Sequence, residues 1–237
     1  MASKQRIDEL DAFQTQIGFE FERLALLDQA LTHSSFVNES AQTETLDNQR
    51  LEFLGDAILD FLVGQWLFYR YPDAQEGELT SIRAHVVRTE GLATFALEID
   101  LGEILRLGRG EALNGGSMRS ANLCAAFEAL VGAMYVDRGL DATQSWFFGL
   151  LQQREAEIDS RRKAKDPKSL LQEHTQASFH VTPSYRIVDE TGPDHDKVFT
   201  AQVLLDEDVW GKGAGASKQA AERAAAENAL ETHSLCN

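Results

Sequence analysis

The chain has 237 residues, enough for one large domain or two modest ones. Hydrophobic residues make up 43% and charged residues 25%, and no apolar run approaches the length of a membrane span. The net charge of −16 argues against a nucleic-acid partner, because phosphate binding favours a basic surface. Only a metal ion that bridges carboxylates to phosphate, or local basic patches, would reverse that expectation.

The cysteines and the N-terminus exclude further classes of protein. Cys124 and Cys236 lie far apart, which argues against a disulfide framework or a zinc site and is consistent with a reducing cytoplasm. The charged start of the chain, residues 1–6, is not followed by the apolar stretch of a secretory signal. We therefore expect a cytoplasmic protein that does not enter the membrane.

Residues 6–155 have a largely helical pattern. An apolar-periodic segment at 22–31 precedes a polar loop at 41–48, and residues 51–68 form a long, almost uniformly apolar helix. Such a helix is expected to be central and buried, because it has no polar face to expose.

The helical pattern then stops and resumes. Residues 72–77 break it, 79–97 restore it, and 102–116 contain five glycines and are predicted to be a loop. Two further helices are predicted at 123–135 and 142–158.

A basic stretch that ends at Pro167 and Lys168 marks a change in composition. We place the domain boundary there, with a first domain at 1–160, a linker at 161–165 and a second domain at 166–237. The sequence predicts an α+β multidomain protein, in which an all-helical domain precedes an α-β-β-β-α domain. The second domain has predicted helices at 169–178 and 217–232, and predicted strands at 184–190, 198–206 and 209–213.

Two carboxylates on the long helix form the first candidate site. Glu52 and Asp56 are i,i+4 neighbours and point the same way, with Gln49 one turn earlier. Their flanks are apolar, so the two charges are poorly solvated, and a hard cation such as Mg²⁺ or Mn²⁺ is a natural partner. The alternative is a solvated pair on the rim of a surface helix.

Glu128 is the second candidate, because it is alone in an apolar helical segment. A buried carboxylate costs several kcal/mol unless it is paired or bound to a metal. Glu128 therefore either binds a metal or pairs with an arginine such as Arg83 or Arg88.

Several motifs resemble the ribonuclease III family. RLEFLGDAIL at 50–59 resembles its signature, and QALTHSSF at 29–36 and AFEALVGA at 126–133 resemble flanking motifs. The tail resembles a double-stranded-RNA-binding domain, in DPKSLLQE at 166–173, PSY at 183–185, GPDH at 192–195 and GASKQAA at 215–221. The resemblance runs from about Ile17 to Ala229, with the motifs in the family's order.

The resemblance implies a homodimeric, Mg²⁺-dependent endonuclease, in which Mn²⁺ substitutes, with no small-molecule cofactor. It would cleave double-stranded RNA, leave 5′-phosphate and 3′-hydroxyl ends, and process ribosomal, messenger and transfer RNA precursors. Glu52 and Glu128 match metal ligands, and Glu128 and Asp56 match catalytic residues, Asp56 as an acid that positions water. Glu76 matches an acidic residue of the valley that holds RNA, and Phe53 matches the aromatic that packs into the partner subunit.

Two positions depart from the family pattern. The family has an aspartate three residues before the glutamate matched by Glu128, and a glutamate three residues before the one matched by Glu52. Here these positions are Ala125 and Gln49. Loss of an anionic ligand weakens Mg²⁺ binding, although water or the side-chain oxygen of Asn122 could replace it.

In the tail, the resemblance implies RNA contacts from Gln172 and Glu173 on the first helix, His195 in the loop after the first strand, and Lys218 at the last helix. These contacts read duplex shape, 2′-hydroxyls and phosphates. Residues 166–237 contain six basic and twelve acidic residues, so we expect this domain to bind RNA weakly, with a contribution from the basic linker.

Two functions remain open from the sequence. One is an active duplex-RNA endonuclease, and the other is a non-cleaving duplex-RNA-binding protein with an impaired metal site. The feature that separates them is Ala125. A structural dimer unrelated to RNA is disfavoured by the motifs of the tail.

Overall fold

The computed structural model describes residues 3–40, 45–163, 167–193 and 197–233. Internal contacts divide the chain into two compact units, Met1–Asp159 and Ser160–Asn237, which are described separately. None of the described helices combines the length and apolar character needed to span a membrane. His195 and the end of the predicted linker lie outside the described residues.

The first unit is helical. Its elements begin where the sequence supplies caps: Ser3 accepts a hydrogen bond from the backbone N–H of Arg6, and Gly18 ends the first helix in the left-handed conformation. The helices are α1 (Lys4–Ile17), α2 (Leu24–Ala30), α3 (Ser34–Glu39), α4 (Gln49–Arg70), α5 (Glu76–Val87), α6 (Thr89–Glu98), α7 (Leu101–Ile104), α8 (Arg109–Leu113), α9 (Ser120–Gln153) and α10 (Glu155–Lys163).

Helices α4 and α9 form the centre of this unit and touch through their backbones. A Cβ atom on Gly55 would lie 1.7 Å from the carbonyl oxygen of Glu128, and one on Gly132 would lie 2.2 Å from that of Leu51. Side chains therefore cannot separate the two helices at this crossing. The closeness brings the acidic residues of both helices to one place.

Helix α4 differs from the expectation of a fully buried helix. One face, which includes Leu59, Leu62 and Val63, is buried, but Phe53 and Phe68 lie on an exposed face. The apolar composition alone could not reveal this, because apolar residues on a face open to a second protein look the same in sequence as core residues.

The other differences concern helix boundaries. The predicted helix at 79–97 is two helices, because Arg88 is extended, with φ −63° and ψ 161°. The glycine-rich segment contains α7, α8 and a short 3₁₀ turn, Gly116–Met118. The break between the helices predicted at 123–135 and 142–158 is confirmed at Gly139 (φ 77°, ψ −178°), which divides α9 into two helical parts, and α10 follows.

The second unit confirms the predicted α-β-β-β-α order. Helix α11 (Pro167–Phe179) precedes strands β1 (Ser184–Thr191), β2 (Val198–Leu205) and β3 (Asp208–Gly215), and α12 (Lys218–Thr232) follows. The strands form an antiparallel sheet in the order β1-β2-β3. Its small core includes Leu171, Val203 and the alanines of α12.

We expect Gly55→Ala to lower the free energy of unfolding by about 3 kcal/mol or more, because the methyl group would overlap the backbone of Glu128. The control is Gly149→Ala on the same α9, where a Cβ meets nothing within 4 Å. This change should stabilise the protein by up to about 1 kcal/mol through helix propensity. Urea unfolding measures both values, and equal effects would contradict the helix contact.

Candidate active site

Three acidic residues lie around the crossing of α4 and α9. Glu52 and Asp56 lie on successive turns of α4, and Glu128 lies on α9 with its backbone against Gly55, between those turns. The charges of Glu52 and Asp56 both raise the pKa of Glu128. The three side chains therefore share one electrostatic environment, as the sequence-based hypothesis requires.

Glu128 is the most perturbed of the three. Burial, together with the charges of Asp56 and Glu52, raises its pKa to about 7, although a hydrogen bond from Cys124 opposes the shift. The Cys124 thiol donates to Oε1 of Glu128 over 3.5 Å. Burial, followed by the charge of Glu128, raises the pKa of Cys124 to about 12. The carboxylate thus has a thiol, and no cation, as its hydrogen-bond partner.

Burial also raises the pKa of Glu52, and Asp47 and Asp56 add to the shift. His33 opposes it with its charge. The His33 ring is held in place, because its Nδ1 lies 3.2 Å from the backbone nitrogen and 2.8 Å from Oγ of Ser35. His33 is therefore the basic group that acts on Glu52.

The structure is inconsistent with the alternative in which Glu128 pairs with an arginine. Arg83 lies 3.8 Å from Asp60, and Arg88 lies 3.6 Å from Glu90. In the described part of the chain, no ion pair involves Glu52, Asp56 or Glu128. None of the three carboxylates is therefore neutralised by an ion pair within the described residues.

The chemistry of this donor set fits a divalent cation. The carboxylate oxygens are ligands that Mg²⁺ and Mn²⁺ prefer, and a cation would relieve the repulsion and desolvation that raise the pKa of Glu128. Among the residues that the structure describes, no three His, Cys, Asp or Glu side chains already stand in a group that holds an ion. Glu52 and Asp56 would have to turn toward Glu128 when an ion binds.

The positions that depart from the family pattern lie beside this cluster. Ala125 is on α9, one turn before Glu128, and contributes no ligand atom. Gln49 is the exposed first residue of α4. The Asn122 amide donates to Oε1 of Glu111 at 2.8 Å and to the carbonyl oxygen of Gly116 at 2.9 Å, so it holds the glycine-rich segment.

Two other predicted site residues stand apart from the cluster. Glu76 is the exposed first residue of α5, and its Oε1 accepts a hydrogen bond from Thr80 at 3.3 Å. Phe53 lies on α4 between Glu52 and Leu54 and is 82% exposed. Neither contacts the three carboxylates in a hydrogen bond or ion pair.

In the second unit, Gln172 and Glu173 are exposed on α11, and Lys218 is the exposed first residue of α12. Other basic side chains are occupied by acids of the same unit. Lys168 lies 2.7 Å from Glu222, and the pairs Lys197–Glu190 and Arg223–Glu227 are at 2.8 Å and 3.8 Å. Lys218 is thus among the few cations left for phosphate.

Comparison with known proteins identifies both units. Residues 24–154 match the family described as “Ribonuclease-III-like”, and residues 167–233 match the “Double-stranded RNA binding motif”. The chain is 44% identical to Ribonuclease 3 of Dehalococcoides mccartyi, over 94% of each chain, and 45% identical to that of a Roseiflexus species, over 96% of each. The chain belongs to the ribonuclease III family.

A solved structure agrees with this assignment. The nuclease domain of ribonuclease III from Campylobacter jejuni is 33% identical, with a TM-score of 0.55, and the match covers 60% of this chain and 94% of that one. The chain is therefore a ribonuclease III-type endoribonuclease with one double-stranded-RNA-binding motif. The alternative of a non-cleaving binding protein is not favoured. Members of this family generally depend on a divalent metal.

Sequence reasoning misses two residues of the site. In sequence, Cys124 is only one of the apolar residues of a helix, although its i,i+4 spacing from Glu128 places both on one helix face. His33 stands out only as part of a motif, and its effect on Glu52 depends on the fold. Cys124 could have been found from its spacing to Glu128, whereas the effect of His33 could not have been found from sequence spacing.

The raised pKa of Glu128 predicts a pH-dependent effect of Glu128→Gln in chelator-treated protein. Below about pH 4.5 the carboxyl is neutral in both the folded and the unfolded chain, so the substitution should change stability little. As the pH rises through about 7, ionisation penalises only the folded wild type. The variant should then be more stable by about 1–3 kcal/mol, since one pKa unit is ~1.4 kcal/mol and partial exposure reduces the full value.

Urea unfolding at both ends of this pH range measures the difference. An unchanged difference between the two proteins across the range would show that Glu128 is not desolvated. Saturating Mg²⁺ should reverse the order, because the ion stabilises only the protein that retains the carboxylate.

Proposed function

We propose that this chain is a homodimeric endonuclease that uses Mg²⁺, or Mn²⁺ in its place, to hydrolyse phosphodiester bonds of double-stranded RNA. Each cut would leave a 5′-phosphate and a 3′-hydroxyl end. The observation that carries the proposal is the placement of three carboxylates around the crossing of α4 and α9, none of them in an ion pair within the described residues. A cation held there would bridge an acidic protein to an acidic substrate.

Each carboxylate has a distinct role in this proposal. Glu52 and Glu128 hold the ion from the two helices, and Asp56, which is exposed, orients water toward the phosphate. When bound, the ion supplies activation of water and neutralisation of phosphate charge. The backbone contact at Gly55 fixes the spacing between the two ligand helices. Glu76, at the exposed start of α5, lines the RNA valley.

The homodimer would form through the exposed aromatic face of α4. Phe53, Phe61 and Phe68 are all exposed, and a surface of this kind is normally covered by another protein. The related nuclease domain from Campylobacter jejuni has a region involved in dimer formation, and that region shows structural flexibility. Phe53 would pack into the partner subunit, next to the Glu52 ligand.

The second unit would recognise duplex RNA with Gln172 and Glu173 on α11, His195 in the loop between β1 and β2, and Lys218 at the start of α12. The N-terminus of α12 adds backbone N–H groups that favour phosphate. Because three of the six basic side chains in residues 166–237 are paired with acids of the same unit, binding would depend on duplex shape and 2′-hydroxyls. The substrates would be cytoplasmic precursors of ribosomal, messenger and transfer RNA.

Cleavage should be slow, favour Mn²⁺ over Mg²⁺, and improve in Ala125→Asp. An aspartate at position 125 would share a helix face with Glu128 and add a charged oxygen ligand. Mn²⁺ tolerates the incomplete site better because it binds oxygen and nitrogen ligands more tightly than Mg²⁺. The assay is cleavage of long duplex RNA, resolved on a gel, with each ion.

Two variants test the same site in the opposite direction. Glu128→Gln should abolish cleavage, and Asp56→Asn should lower its rate by orders of magnitude while the fold is retained. Brisk cleavage by the unmodified chain in dilute Mg²⁺, with no gain in Ala125→Asp, would contradict the account of a missing ligand.

RNA binding should favour double-stranded RNA over DNA of the same sequence, because the contacts include 2′-hydroxyls. Its dependence on salt should be shallow, because few lysines reach phosphate. Lys218→Ala should weaken binding more than Arg223→Ala on the same helix, since Arg223 is paired with Glu227. Filter binding with the non-cleaving Glu128→Gln protein measures these affinities, and equal binding of the two duplexes would refute the RNA assignment.

Phe53→Asp should convert the dimer into a monomer at micromolar concentration, because it places a charge in the proposed interface. The fold should survive, since this side chain is 82% exposed within one subunit. Leu113→Asp on α8 is a matched control, because that side chain is 78% exposed and lies outside the proposed interface. Sedimentation velocity distinguishes the two states, and a dimeric Phe53→Asp protein would contradict the interface.

A further inference from the structure

The sheet of the second unit has one face against α12 and one face that points away from it. A Cβ atom on Gly211 would lie 2.4 Å from the carbonyl oxygen of Ala225, and one on Gly213 would lie 2.2 Å from the nitrogen of the same residue. These positions of β3 therefore face α12. Successive residues of a strand point to opposite faces, so Lys212, which lies between the two glycines, is on the other face, here called the outer face of the sheet.

Three polar residues form a row across the outer face. Arg186 of β1 lies directly opposite Gln202 of β2, and Gln202 lies directly opposite Lys212 of β3, so the three side chains share this face. Neighbouring strands are about 4.8 Å apart, which separates the backbones of Arg186 and Lys212 by about 10 Å. Both cations are exposed, and Gln202 is half-buried between them.

The two cations of this row are not neutralised by acids of their own unit. Within residues 167–193 and 197–233, neither Arg186 nor Lys212 forms an ion pair. Three of the other four basic residues in 166–237 are paired with acids: Lys168, Lys197 and Arg223. The outer face thus carries two of the three basic side chains of this unit that remain available to an external anion, and Lys218 is the third.

We propose that the row Arg186–Gln202–Lys212 binds the phosphate backbone of a second RNA duplex, in addition to the duplex bound by α11, the β1–β2 loop and the start of α12. The inference goes beyond the proposed function, which places no RNA contact on the sheet. It rests on that function in one respect, because it takes duplex RNA as the polyanion that this unit meets.

The chemistry of the row favours phosphate over bases. The guanidinium of Arg186, the ammonium of Lys212 and the amide of Gln202 all donate hydrogen bonds to phosphate oxygens. The aromatic residues of the three strands pack against the core of the unit: Tyr185, Phe199 and Trp210. The row therefore offers no ring on which an unpaired base could stack, and it fits the charged backbone of a duplex better than a single strand.

The position of the row requires a second duplex. Helix α12 packs on strands β2 and β3, and α11 packs on α12, so the contacts proposed for Gln172 and Lys218 belong to the helical side of the unit. A nucleic-acid duplex is stiff over the length of one small domain and cannot bend from one side of the sheet to the other. RNA on the outer face would therefore be a separate duplex.

Asp189 limits the affinity that we expect. It lies opposite Thr200, two residues before Gln202 on β2, and therefore shares the outer face with the row. Its Oδ1 accepts a hydrogen bond from the backbone N–H of Glu190 at 2.9 Å. With two cations and a nearby carboxylate, the second duplex should bind more weakly than the first and dissociate as salt is added.

The test counts the duplexes bound by each full-length chain. Non-cleaving Glu128→Gln protein is titrated with a short RNA duplex, in chelator and low salt, and calorimetry measures the number of duplexes and the affinity of each phase. Arg186→Gln combined with Lys212→Gln should weaken the second phase by at least about tenfold and the first by less than about twofold. In each single variant, the slope of log affinity against log salt for the second phase should fall by about one.

Three variants serve as comparisons. Lys218→Ala should weaken the first phase and retain the second, which is the opposite pattern. Arg223→Gln should change neither phase, because Arg223 is already paired with Glu227. Asp189→Asn should strengthen the second phase, since the amide keeps the oxygen that accepts from Glu190 and removes the charge. Circular dichroism verifies that every protein is folded.

The outcomes separate this inference from the proposed function. A single phase that depends on Lys218, or a second phase that the double variant leaves unchanged, would overturn the second site and leave the proposed RNA contacts intact. A change in the sedimentation of the RNA-free protein, with no change in the number of duplexes, would assign the row to another copy of this acidic chain and refute the RNA assignment. Absence of RNA binding in every protein would contradict both proposals.

Discussion

The backbone contact between α4 and α9 is the constraint on which the site depends. At Gly55 and Gly132 each helix presses against a carbonyl oxygen of the other, so neither can shift without a clash. Glu52 and Glu128 are consequently held in a partly desolvated region, and burial raises the pKa of both. The free energy of core packing around this crossing offsets the repulsion of charges that would otherwise separate.

The contact between α4 and α9 restricts some positions of the sequence tightly and leaves others free to change. The two glycines have no substitute, because any side chain would overlap backbone atoms. The proposed ligand positions around them would be less restricted, since the family resemblance places Ala125 where an aspartate is expected. An acidic chain can still act on RNA, because the counter-charge for phosphate would come from an ion and not from the protein surface.

Much of the fold was predictable, because periodicity and turn residues report local structure directly. The α-β-β-β-α order followed from the change of period after Pro167, and the carboxylate pair Glu52 and Asp56 followed from helical spacing. The apolar pattern of α4 indicated a buried helix, and only the family resemblance, which placed Phe53 against a partner subunit, implied that this side chain is exposed within one subunit. The effect of His33 on the pKa of Glu52 was not predictable either, because it acts between two separate segments of the chain and no local sequence pattern indicates it. The roles assigned to the site residues remain predictions.

The tryptophan fluorescence of the two units can be separated, because each unit contains its own tryptophans. Trp66 and Trp146 belong to the first unit, where the indole of Trp146 donates to the carbonyl oxygen of Ile17 at 2.8 Å. Trp210 belongs to the second unit and stacks on His233, with ring centroids 4.0 Å apart. The chain has three tryptophans in all, so a Trp210→Phe protein would emit from the nuclease unit alone. The difference between the emission spectra of the two proteins would therefore report on the surroundings of Trp210 in the RNA-binding unit.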